Sequence, residues 1–171
     1  MTGPDLASLL LRVVLGVVLL MHGRNHGWGA GGLAGTASWF DSIGLRPAKL
    51  HAAISAYMEV AAGLALLVGI FVPFAAAAGI GTMTVAFITV HRKNGFFIFN
   101  PGEGYEYVVT VAFALTALAA LGAGKISLDH ALDIELHGVG VGLGAAAAGV
   151  LGAALLLLTS WRPPARAGED D

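Results

Sequence analysis

Residues 52–90, AAISAYMEVAAGLALLVGIFVPFAAAAGIGTMTVAFITV, hold a single charged residue, Glu59, and their reading decides the fold. A helix that crosses a bilayer needs about 20 mostly apolar residues, with a usual range of about 17 to 25. This stretch is too long for one crossing and suits two. It divides at Gly69-Ile70-Phe71-Val72-Pro73, where a glycine sits at a helix end and a proline at the next helix start. The stretch therefore predicts two antiparallel spans, near 52–70 and 73–90, joined by a tight turn.

Working outward, Leu6–His22 is a first apolar run, followed by the polar, glycine-rich segment Gly23–Leu50. His91–Glu106 reads as a polar hairpin, Tyr107–Gly124 as a fourth span, and Lys125–His137 as a connector. Gly138–Ser160 is a fifth apolar run, and the tail from Trp161 contains Pro163-Pro164, ends acidic and is expected to be disordered. The predicted fold is all-α: a polytopic membrane bundle of four helices over residues 1–137, a fifth transmembrane helix over 138–160, and a tail over 161–171.

Composition agrees. Hydrophobic residues make up 57% of the 171-residue chain and charged residues 12%, about half the charge of an average soluble domain. The mean hydropathy is +0.80, so lipid is the natural solvent. A net charge of −2 offers no basic face for nucleic acid. The chain has no cysteine, which removes disulfide exchange, thiolate catalysis and iron–sulfur ligation by this chain alone. Met1–Asp5 has no Lys or Arg and no A-x-A pattern follows Met21, so the first run is expected to remain as an uncleaved span.

Lys and Arg are distributed unequally between the two ends of such a bundle. Arg24, Arg46, Lys49, Arg92, Lys93, Arg162 and Arg166 fall on the end opposite the N-terminus, against Lys125 on the N-terminal end. The positive-inside rule then places loops 23–50 and 91–106 and the C-terminus in the cytoplasm of a multi-pass cell-membrane protein.

Two charges lie inside the spans, Arg12 and Glu59, and an ionisable group in lipid marks a partner or a function. Counting at about 1.5 Å per residue puts both roughly 12–15 Å below the basic end, which predicts a buried ion pair between neighbouring helices. The pair either fixes helix register only, or makes Glu59 a proton carrier or ligand group held ionised by Arg12. His22, His91, Asn94, Tyr105, Glu106 and Tyr107 gather at the same end, with Tyr57 and Glu59 approaching from below, and are expected to form a polar pocket. Glu59 and His91 are its candidate catalytic groups. Haem between His22 and His91, or a metal held by His and Glu, is conceivable but has no diagnostic motif. His22 and His26 have i,i+4 spacing, although Gly23 and Gly27 argue against a continuous helix there. The rings of Trp28, Trp39, Phe40, Phe96, Phe97 and Phe99 fit an interfacial belt, or else an entrance for quinone or lipid. In the fifth run, Gly140, Gly144, Ala148 and Gly152 form a small-residue stripe, suited to packing within the chain or to contact with other membrane subunits.

Taken in order, Leu11-Arg12, Gly16, His22-Gly23, Gly35-Thr36-Ala37, Trp39-Phe40, Ile43-Gly44-Leu45, Glu59, Gly63, Val90-His91, Asn94-Gly95-Phe96-Phe97, Gly104-Tyr105-Glu106-Tyr107 and Leu128-Asp129 resemble the DoxX family of membrane proteins over about 6–133. The resemblance implies a four-helix membrane bundle. Some members of that family are subunits of thiosulfate:quinone oxidoreductases, and others are linked to membrane oxidoreductase assemblies and oxidative-stress defence. Two features depart from the pattern: His26 stands where relatives often have lysine, and the fifth run extends the core. The expectation is an accessory membrane subunit or partner of a respiratory or stress-linked redox complex, more a non-catalytic chain than a self-sufficient enzyme. The alternatives are a quinone-interacting oxidoreductase subunit, or a scaffold or small-solute permease, although no inverted repeat is visible.

Overall fold

The computed structural model describes residues 1–164 and is all-helical, with no strand among them. Helix α1 spans Gly3–Trp28. Thr2 caps it, with the Asp5 carboxylate accepting from the Thr2 backbone N–H at 2.6 Å, and Pro4 occupies its first turn. A short helix α2, Gly32–Ser42, follows along the edge of the bundle. Helix α3, Ala48–Val68, returns antiparallel to α1. The two approach closely because glycines line the seam. A Cβ on Gly16 would lie 2.9 Å from the Gly63 carbonyl, and one on Gly23 would lie 2.7 Å from the Ala56 carbonyl. Small residues at a seam let helices approach closely in lipid, where dispersion contacts replace the hydrophobic drive.

The predicted turn is present. α3 ends at Gly69 in the left-handed region (φ 72°), and α4, Val72–Ala86, starts with Pro73 in its first turn. Phe71 is also left-handed (φ 47°), and its N–H donates to the Asp129 carboxylate at 2.8 Å. Asp129 sits on the one-turn helix α6, Leu128–Ala131, and its second oxygen accepts from Val72 N–H at 3.3 Å. A carboxylate at the start of α4 suits the positive end of the helix dipole. α4 then runs into a π-helical turn, Phe87–His91. Helix α5, Glu106–Leu121, and helix α7, Val139–Ser160, complete the bundle. The core is built from Leu15, Leu19, Leu66, Ile80, Leu115 and Leu118, while Phe74, Phe113, Leu151 and Leu158 point outward. α1, α3, α4 with its π turn, and α7 are each long and apolar enough to cross a membrane, and α5 is a shorter apolar helix.

Several expectations need correction. α1 does not stop at His22 but continues to Trp28, because Gly23 serves the close crossing with α3 instead of ending the helix. The fifth helix packs on α4 and α5 through Gly142, Ala145, Gly149 and Ala153. The anticipated stripe lies on a neighbouring face: a Cβ on Gly140, Gly144 or Gly152 would meet nothing within 4 Å, and Ala148 is exposed. Small residues fall on more than one face of α7, so periodicity fixed the spacing of the stripe but not its phase. Of the tail expected to be disordered, Trp161 is instead bridged to Leu45, its indole N–H donates to the Ile43 carbonyl at 2.9 Å, and Arg162 N–H donates to the Gly44 carbonyl at 2.7 Å. Residues 165–171, including Arg166, lie outside the described residues.

The seam makes a prediction. Gly63→Val overpacks the α1–α3 crossing and lowers stability by about 1–3 kcal/mol. Gly144→Val, placed where a Cβ meets open space, leaves thermal unfolding in detergent close to that of the parent chain. Equal melting of the two variants would remove the seam from its role.

Candidate functional site

The continuation of α1 sets up the polar centre. His22 and His26 lie one turn apart, their ring centroids 6.5 Å from each other. Across the seam, α3 contributes Ser55 and Glu59, also one turn apart. The Ser55 hydroxyl donates to Glu59 Oε1 at 2.5 Å. His26 Nδ1 lies 3.0 Å from Ser55 Oγ and 3.4 Å from Glu59 Oε1. With the serine proton already given to the carboxylate, Nδ1 is the donor to Ser55 Oγ. In a neutral ring that leaves Nε2 as an acceptor. Glu59 is 1% exposed, and its Oε2 has no partner among the described residues. A buried carboxylate with an unused oxygen is costly unless something else engages it.

Around this centre opens a cavity of about 510 Å³, bordered by Glu59 and His26 within and by His22, His91, Glu103 and Tyr107 toward its rim. The Tyr107 hydroxyl lies 3.1 Å from His22 Nε2, with the two rings stacked. His91, at the end of the π turn, has Nδ1 2.8 Å from the Glu103 carbonyl. A carbonyl only accepts, so Nδ1 carries the proton and Nε2 keeps its lone pair. π turns insert a local change of register and are frequent at functional sites; this one ends in His91.

The expected Arg12–Glu59 pair does not form. Both side chains are buried, but Glu59 lies beside Gly23, roughly 16 Å along α1 from Arg12 at about 1.5 Å per residue. Arg12 instead donates to the carbonyls of Leu66, at 3.5 Å, and Ile126. It ties α1 to the end of α3 and to the connector, near Asp129. The depth estimate failed because it ended the first span at His22, six residues early by the structure's own boundary.

Other anticipated pocket residues disperse. Tyr57 is exposed and edge-on to Trp28. Asn94 braces the hairpin by donating to the Gly102 and Glu103 carbonyls at 2.5 and 3.0 Å. Tyr105 packs between Phe87 and Phe96. Glu106 opens α5, its N–H donating to the Phe96 carbonyl at 2.9 Å. Of the anticipated set, His22, His91, Tyr107 and Glu59 border the cavity, and His26 and Trp39 border it as well. The grouping of His26 and Ser55 on Glu59 was missed. The i,i+4 spacing of His22 with His26, and of Ser55 with Glu59, carried the signal. Among the described residues no three His, Asp or Glu side chains converge as metal ligands.

Apolar helices enclosing a buried carboxylate–imidazole centre define a multi-pass membrane bundle with an internal polar cavity. The DoxX family model matches residues 7–92, and the chain belongs to that family. The matched segment carries Glu59, His26, Ser55, His22 and His91. No curated protein and no solved structure matches the chain.

The coupling between His26 and Glu59 is measurable. His26→Leu strands the carboxylate and destabilises by about 1–3 kcal/mol. Combining it with Glu59→Leu costs less than the sum of the single losses, because the two share one interaction. Strictly additive melting shifts would show that the groups act independently.

Proposed function

We propose that this chain is a quinone-binding membrane subunit of a redox assembly. The observation that supports the reading best is the single cavity in which a buried, half-engaged carboxylate faces two histidines of defined polarity and a tyrosine. Its volume of about 510 Å³ falls in the range of about 300–1,000 Å³ usual for small-molecule sites. The groups fit the reduced form of the ligand: quinol hydroxyls would donate to His91 Nε2 and to the Glu59 oxygen that has no protein partner.

A bound quinone would supply a two-electron acceptor whose reduction takes up protons. The chain's own part is to position it and to handle those protons. Tyr107 and His22 share a proton across 3.1 Å at the rim. His91 is turned by the Glu103 carbonyl so that its Nε2 can accept. Ser55 and His26 fix the position of the Glu59 carboxylate. Electrons would come from a partner subunit packed on the outward-facing part of the α7 stripe, Gly140 and Gly144, where a Cβ would meet nothing within 4 Å. Ala148 and Gly152 of the same stripe border a separate cavity. Arg24, Arg46, Lys49, Arg92, Lys93 and Arg162 at the cavity end favour a cytoplasmic orientation of that end.

The test is the quinone content of protein purified in mild detergent. Near-stoichiometric quinone is expected, falling about tenfold in Glu59→Gln or His91→Ala, as for loss of one buried hydrogen bond. Wild-type protein carrying no more quinone than an unrelated membrane protein prepared alongside would sink the reading. Gly144→Leu is expected to release the partner subunit while leaving bound quinone unchanged.

A further inference from the structure

A second cavity, of about 380 Å³, lies between α2, α3, α4 and α7. It is separated from the polar one by shared walls that include His26, Trp39 and Thr82. Small residues line its depth, among them Ala77, Ala78, Gly81, Gly149 and Ala153, so it forms a narrow apolar chamber. Its polar neighbours are nearly all engaged. Ser55 and His26 serve Glu59, and the hydroxyls of Thr82 and Thr89 donate to the Ala78 and Val85 carbonyls of their own helix. His51 is the exception. It borders the chamber, is 8% exposed, and neither ring nitrogen has a partner among the described residues. A buried imidazole always carries at least one N–H, and leaving it unbonded is unfavourable.

His51 stands in the first turn of α3, at the end where Trp28, Trp39 and Trp161 also lie. A tryptophan belt marks the level of lipid headgroups and ester linkages. Cations lie at the same end of the bundle. Lys49 precedes His51 on α3. Arg92 lies over the Trp161 ring at 5.9 Å, and Trp161 is hydrogen-bonded to Ile43, which borders the chamber. Arg46 is already engaged by Asp41 at 3.2 Å, whereas neither Lys49 nor Arg92 has a carboxylate partner among the described residues.

We infer that the chamber is a binding site for one acyl chain of an anionic phospholipid, with the ester carbonyl accepting from His51 and the phosphate facing Lys49 and Arg92. An apolar slot lined by small residues takes the chain. The unpartnered histidine stands in the first turn of α3, and two cations without a carboxylate partner among the described residues stand at the same end of the bundle. This site stands apart from the quinone reading: its polar group is His51, which does not border the other cavity.

The experiment uses the full chain in mild detergent, stripped of lipid and titrated with phosphatidylglycerol or phosphatidylcholine, and followed by native mass spectrometry and thermal unfolding. Phosphatidylglycerol is expected to bind one per chain and to raise the melting temperature more than phosphatidylcholine does. His51→Phe weakens its binding about tenfold, the equivalent of one lost hydrogen bond. Lys49→Gln with Arg92→Gln abolishes the preference between the two lipids and makes binding insensitive to salt. Gly152→Phe, at a chamber-wall position where a Cβ meets open space, plugs the slot and excludes the lipid while quinone content stays as in the parent. Equal response to both lipids, unchanged lipid binding in Gly152→Phe, or displacement of the bound lipid by quinone would overturn the inference.

Discussion

The close passage of α1 against α3 sets what the rest of the molecule can do. Gly16 and Gly63 face one another, and farther along Gly23 faces Ala56 and Val60, so two backbones approach where side chains would otherwise hold them apart. In lipid that closeness matters more than in water, because helices gain by packing and polar contact and not by escaping solvent. The same passage fixes register. Once Gly16 lies on Gly63, the side chain next to Gly23 must be Glu59, and the next inward turn of α1 brings His26 onto it. A seam made of absent side chains thus determines which charged side chain meets which imidazole.

Arg12 and Glu59, the two buried charges within the long helices, are held at opposite ends and by different means. Arg12 is held by backbone carbonyls, one near the end of α3 and one in the connector before α6, while Asp129 secures the start of α4. Those contacts knit the N-terminal end of the bundle, with Arg12 Nε alone of the guanidinium nitrogens left without a partner among the described residues. Glu59 is bound by a serine and a histidine side chain and keeps one oxygen uncommitted. Side chains on separate helices can be adjusted without unravelling a helix, which backbone carbonyls cannot. The asymmetry separates a structural end from a chemically open one.

Much of this was legible in the sequence. The Gly69–Pro73 break placed the α3–α4 turn, and the distribution of apolar runs placed α1, α5 and α7, because lipid demands continuous apolar length. The gathering of His22, His91 and Tyr107 at one end followed from parity alone: each odd crossing ends where each even crossing begins. Depth and phase were not legible. Gly23 and Gly27 look like helix breakers in isolation, and only the neighbouring helix shows that Gly23 is a contact residue. That one misreading moved Arg12 toward Glu59 and hid His26. In α7 the alternatives Gly140–Gly144–Ala148–Gly152 and Gly142–Ala145–Gly149–Ala153 are nearly equivalent as strings, and only the bulk of Ala77, Ile80 and Ala120 opposite selects the second.

The π turn at Phe87–His91 has a geometric consequence for aim. Its wider loop, closed by Arg92 N–H on the Phe87 carbonyl at 2.9 Å, accommodates an extra residue within the turn. Everything beyond it is therefore rotated by roughly one residue's step relative to a continued α-helix. The final side chain of the crossing is steered by winding, independently of how α4 is seated against α3 and α7. A helix locked by tight neighbours along most of its length still has a terminal pointer whose direction was set by a local change of pitch.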